Sequence, residues 1–132
     1  MAVEIQNPPT LVKPTMYAQM AIVSAGRQLH IAGQVSVDAE GRIVGPGDIA
    51  AQAEQVYANV AAALAAAGVD FTRVFRMGTY IVAHTPEKSA AVRAVRRKYM
   101  GDGPYPAGVT LGIASLGHPD LLIEIEAAAF LD

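Results

Sequence analysis

DIAAQAEQVYANVAAALAAAG, residues 48–68, is the stretch that decides the fold. Asp48 can accept a hydrogen bond from a backbone N–H of the first turn, and Gly68 can adopt the left-handed conformation that stops a helix. Between them Ile49, Ala53, Val56, Val60, Leu64 and Ala67 recur every three or four residues. That spacing predicts a helix with one apolar stripe, and such a stripe must be buried against a partner layer.

The flanking sequence supplies that layer. Upstream, Tyr17–Ser24 (YAQMAIVS) and Gln28–Val35 (QLHIAGQV) read as strands with Ala25-Gly26 turning between them. Asp38-Ala-Glu-Gly41 reads as a further turn, and Arg42–Val44 as a short third strand. The opening segment, Gln6–Pro14, carries three prolines and reads as an extended arm. Downstream, Arg73–Val82 is a strand. Thr85-Pro86-Glu87 then sets a cap, a proline at the first helical position and an acid in the first turn. The helix that follows buries Ala91, Val92, Val95 and Tyr99 and stops at Gly101. Ala107–Ser115 and Leu121–Leu131 read as closing strands. The order is β-β-(β)-α-β-α-β-β, which predicts one α+β domain over residues 1–132, with two helices on one face of a six-stranded mixed sheet. The other sheet face is then left bare, and its apolar residues point to an oligomer.

Composition narrows the function classes. The 132 residues include no cysteine, which excludes disulfides, thiolate metal sites and a cysteine nucleophile. Hydrophobic residues make up 52% and charged ones only 17%, with alanine alone supplying 25 positions. Either compositional bias or surface hidden between subunits accounts for this. The N-terminus shows no signal-peptide pattern and no apolar run is long enough to span a bilayer, so the expectation is a soluble, cytoplasmic protein. A net charge of −2 gives no general pull toward nucleic acid. Arg93, Arg96, Arg97 and Lys98 form the one basic cluster, and it reads as a solvated helical face. His30, His84 and His118 lack metal-ligand spacing with any acidic pair, so neither a metal nor a cofactor is expected.

The best chemical clue is Leu122-Ile-Glu-Ile-Glu126. Strand alternation puts Glu124 and Glu126 on one face and Ile123 and Ile125 on the other. Two carboxylates on an otherwise apolar strand either face solvent or line a cavity between subunits, where one of them can handle protons or water.

Four segments in order, Tyr17-Ala-Gln, Ile31-Ala-Gly-Gln34, the 48–68 helix and Glu124-Ile-Glu-Ala, together resemble the RidA/YjgF family of enamine/imine deaminases, also called endoribonuclease L-PSP. The resemblance runs from about Tyr17 to Phe130. It implies a chorismate-mutase-like fold, a homotrimer around a central β-barrel, and three clefts between subunits. The implied substrate is a small imine or enamine derived from an amino acid, and water releases ammonia and a 2-keto acid without a cofactor. Carried over by position, Tyr17 walls the cleft, the backbone at Gly33 contacts substrate, and Glu124 positions the attacking water.

Three departures from the family pattern bear on substrate. Its Pro-Ala-Arg-Ser/Thr motif, whose arginine clamps the substrate carboxylate, reads Pro106-Ala107-Gly108-Val109 here. Its serine before the Gly-Gln pair is Ala32, whereas Thr110 fits the pattern, and Arg93 aligns with a position that is usually asparagine. Three readings are open. Arg93 replaces the missing guanidinium; or the substrate lacks a carboxylate; or catalysis is lost, leaving a trimer that binds small molecules or another protein.

Overall fold

A computed structural model describes residues 3–24 and 26–132. Capping chemistry sets the ends of both helices. Helix α1, Ile49–Ala66, begins where the Asp48 carboxylate accepts the Ala51 N–H at 3.0 Å. It stops at Gly68, whose φ of +77° closes the last turn. Helix α2, Pro86–Met100, begins with Thr85 Oγ1 accepting the Lys88 N–H at 3.2 Å and is terminated by Gly101 at φ +58°.

Six strands accompany them: β1 (Val3–Gln6), β2 (Met20–Val23), β3 (Gln28–Val35), β4 (Val74–Val82), β5 (Ala107–Ile113) and β6 (Ile123–Phe130). They do not form one six-stranded sheet. Strands β3-β6-β4-β5 make a four-stranded mixed sheet, antiparallel except for the β4–β5 pair, and β1 and β2 pair only with each other. The ribbon closes locally: the Gln19 N–H donates to Asn7 Oδ1 (2.8 Å) and Gln19 Nε2 to the Val12 carbonyl (2.7 Å), drawing the two four-residue strands together. The first strand expected, Tyr17–Ser24, is accordingly shorter, and Tyr17 lies before it. Arg42–Val44 forms no strand either; a single bridge, Val37 to Ile43, is all that is made. Asp38 Oδ1 takes the N–H groups of Glu40 and Arg42, so the segment is held as a turn. Of the turn expected at Ala25-Gly26, Ala25 lies outside the described residues.

Both helices pack on one sheet face. Ala53, Val56, Tyr57, Val60 and Leu64 of α1 and Val92 and Val95 of α2 meet Ile31, Met77, Ile81, Ile123 and Ile125 from the sheet. Two α1 amides fix the strands. Gln52, fully buried, donates to the carbonyls of Gly45 (3.1 Å) and Asp120 (2.8 Å) and accepts the Leu122 N–H (2.8 Å). Asn59 donates to the carbonyls of Val35 and Val37. The approaches to β6 and the end of β3 are thereby pinned to one helix. On the other sheet face Val109 and Leu111 are 44% and 47% exposed.

Candidate functional site

Ala18 anchors the chain before β2 to the start of β5. It forms a parallel bridge with Ala107, and its N–H donates to the Pro106 carbonyl at 3.0 Å. Tyr17 is thus held beside Gly108 and Thr110, while α2 brings Arg93 and Arg96 from the opposite side. Between them lies a cavity of about 230 Å³, floored by Met77 and Ile81 of β4. Four of the residues singled out from sequence, Tyr17, Arg93, Gly108 and Thr110, therefore meet in one place. Arg93 is exposed and donates from Nη1 to Ser89 Oγ at 3.1 Å.

The sequence reading missed Arg96. It does not belong to a solvated face: it is 8% exposed and lines the cavity. Position 96 follows buried Val92 by four residues and sits next to buried Val95, so helical spacing turns it inward. Residue type alone argued for the surface, whereas the helical period argued for the interior. Arg97 is exposed, and Lys98 pairs with Glu54 at 2.7 Å, as a solvated face requires.

Ala32, Gly33 and Glu124 form a second group on the opposite face of the sheet. The ladder between β3 and β6 shifts register between Ile31 and Gln34, which leaves Ala32 and Gly33 together in a bulge. The absence of a side chain at Gly33 makes room for Glu124: a methyl group there would lie 2.6 Å from Oε2 and 2.7 Å from the carboxylate carbon. The two glutamates differ in engagement. Glu126 accepts a hydrogen bond from the Tyr80 hydroxyl at 3.1 Å, which pushes the phenol above its usual pKa, with lesser help from burial. No side-chain hydrogen bond among the described residues occupies the Glu124 carboxylate, although the residue is half-buried.

Residues 10–131 match the family model for endoribonuclease L-PSP. The chain belongs to the RidA/YjgF family. Among curated relatives, Protein DfrA of Myxococcus xanthus is 32% identical over 128 residues, covering 97% of this chain and 93% of its own. A 2-iminobutanoate/2-iminopropanoate deaminase of Bos taurus is 35% identical over 114 residues, covering 86% and 78%. Among solved structures, a Rid-family protein from Yersinia pestis described as of unknown function, YyfB, superposes with a TM-score of 0.90 at 40% identity, covering 99% of this chain and all of that one. RidA from a Psychrobacter species gives 0.70 at 26% identity, with 98% of both chains covered. The two-helix, mixed-sheet architecture is thus that of the RidA family.

Elsewhere in this RidA-family chain, His118 serves its turn. Its Nδ1 accepts the Asp120 N–H at 3.0 Å. No group of three or more metal-binding side chains occurs among the described residues, and no helix is long and apolar enough to cross a membrane.

Proposed function

We propose that this protein hydrolyses small imines, enamines or related carbonyl compounds at clefts between the subunits of a homotrimer. Glu124 positions and deprotonates the attacking water. Tyr17, Ala32, Gly33, Arg93, Gly108 and Thr110 shape the space that the substrate fills. The observation that carries this reading is the contrast between the two glutamates: Glu126 is tied to Tyr80, while Glu124 stands unengaged over the backbone of Gly33. The deaminase names borne by relatives at 35% identity support it.

The chemistry asks little of the protein. Protonation of the imine nitrogen makes its carbon electrophilic. Water adds to that carbon while its proton passes to the Glu124 carboxylate, which returns it to nitrogen. Ammonia then leaves as the hydroxyl proton passes to the Glu124 carboxylate and the carbonyl forms. A held water and one proton acceptor suffice.

Gly108 limits the substrates. With no guanidinium on this strand, a 2-imino acid loses the bidentate contact expected from the family pattern, and its turnover should be weak. The test is ammonia release from imines generated in situ by an amino-acid oxidase, alongside imines that lack the carboxylate. Glu124→Gln should lower turnover ~10²–10⁴-fold, the range for a general acid–base group, with Glu126→Gln near wild type. Equal, small effects of both substitutions would refute the assignment of Glu124. Robust turnover of 2-iminopropanoate by the wild type would refute the reading of Gly108. If no imine is turned over, the chain is a trimeric binding member of the family.

A further inference from the structure

Arg96 carries a buried charge that nothing in the described protein neutralises. The ion pairs among the described residues join Arg27 to Asp132, Arg42 to Asp38 and Glu40, and Lys98 to Glu54; none includes Arg96. Its partners are uncharged. Nε donates to the Tyr57 hydroxyl at 2.9 Å, Nη1 to the Met16 carbonyl at 3.1 Å, and Nη2 to Thr79 Oγ1 at 3.1 Å, with the Met77 sulfur at 3.9 Å. Tyr57 supplies no counter-charge, because burial pushes its phenol above the usual pKa despite the opposing pull of Arg96. A guanidinium stays protonated throughout the working pH range, and burying it without an opposite charge is costly. Of its five N–H groups, one Nη1 proton is left without a protein acceptor. The cavity that Arg96 lines carries a second guanidinium, Arg93, the hydroxyls of Ser89 and Thr110, and no carboxylate.

We infer that this cavity seats a small carboxylate on Arg96, with Arg93 at its rim and Met77, Ile81 and Val92 against the ligand's apolar end. A carboxylate fits better than a phosphate. The volume is small, much of the wall is apolar, and the single spare N–H of Arg96 suits one oxygen of a monoanion. One such contact is weaker than a bidentate fork, which agrees with slow handling of 2-imino acids. The inference rests on the proposed function for its meaning, since it names what the non-reacting end of the substrate carries. Its test needs no turnover.

The probes are butyrate and its neutral analogue butyramide, titrated into ¹⁵N-labelled full-length protein while the Arg96 Nε–H resonance is followed. Butyrate should shift that resonance saturably, and butyramide should bind at least ~10-fold more weakly, as loss of a charge-assisted hydrogen bond requires. Arg96→Lys should cost a similar factor. Because that substitution disturbs the contacts with Tyr57 and Thr79, Thr110→Asp provides a second test. It places a carboxylate on the exposed wall of the cavity, leaves every Arg96 hydrogen bond in place, and should abolish butyrate binding. Equal binding of butyrate and butyramide, no binding of either, or full butyrate affinity in Thr110→Asp would each overturn the inference. Butyrate binding without imine turnover would leave it standing and remove the proposed hydrolase; turnover without butyrate binding would do the reverse.

Discussion

At Gly33 and Gly108 an added methyl group meets different kinds of obstacle, and the difference decides what each substitution does. At Gly33 the obstacle is the far end of the Glu124 side chain, which can swing away. Gly33→Ala should therefore fold with a denaturation midpoint near wild type yet lose turnover to about the extent of Glu124→Gln. At Gly108 the obstacle is the backbone of Met77, whose carbonyl oxygen occupies the Cβ position and whose carbonyl carbon lies 2.8 Å away, and φ is +157°. Any side chain there forces β5 away from β4. Gly108→Ala should cost at least ~2 kcal/mol, given that backbone strain alone is worth ~1–3 kcal/mol, and chemical denaturation measures it. The arginine that the family pattern leads one to expect at 108 is thus not restored by one substitution. The sequence made Gly108 visible as a departure. It could not show that the departure comes with its own backbone geometry, because that depends on Met77, 31 positions away.

Helix α1 shows at the level of elements how one side chain organises others. Gln52 satisfies three backbone groups from two loops, and its last partner, Leu122, lies two residues before Glu124. Gln52→Leu keeps the volume and removes the bonds, leaving buried donors and acceptors unpaired at ~1–3 kcal/mol each. We expect the substitution to destabilise the protein by at least ~2 kcal/mol and to lower turnover in the folded fraction, read by denaturation midpoint and single-turnover rate. The helices were legible in the sequence because their determinants are local: Asp48, Thr85-Pro86, Gly68 and Gly101 act within a few residues of the ends they set. Five of the six strands were legible for the same reason, but Val3–Gln6 was not read as a strand and the one expected at Arg42–Val44 does not form. Strand partnership was not legible: Asn7 and Gln19 close the β1–β2 ribbon through side chains whose pairing no periodicity encodes. Likewise Gln52 and Arg96 are polar residues at inward positions, and only their partners explain them. The candidate site was half legible. Strand alternation placed Glu124 on the sheet face away from the helices, but nothing in the pattern placed Tyr17, Arg93, Gly108 and Thr110 on the other side.

That division has a consequence for the whole molecule. Within one protomer the cavity and the Glu124 carboxylate lie on opposite faces of the sheet, so a substrate in the cavity needs its water-handling group from elsewhere. Assembly of three copies, as the proposed function requires, would let one subunit's cavity face another's Glu124. The surface favours such burial: Leu111, 47% exposed, projects from β5 on the sheet face that carries Glu124, and Val109 beside it is 44% exposed. Light scattering at micromolar concentration should give three times the 13.8 kDa chain mass. Leu111→Asp would place a charge where apolar surface must be buried, a cost of several kcal/mol per unpaired ion, and should leave monomers with wild-type far-ultraviolet circular dichroism. Leu111 is outside the cavity wall, so those monomers keep Arg96, Arg93 and Thr110 in place. They should therefore bind butyrate as the wild type does while losing imine turnover altogether. A folded Leu111→Asp monomer that still hydrolyses imines would show that Glu124 need not come from a neighbour. A wild-type chain that scatters as a monomer would remove the inter-subunit site.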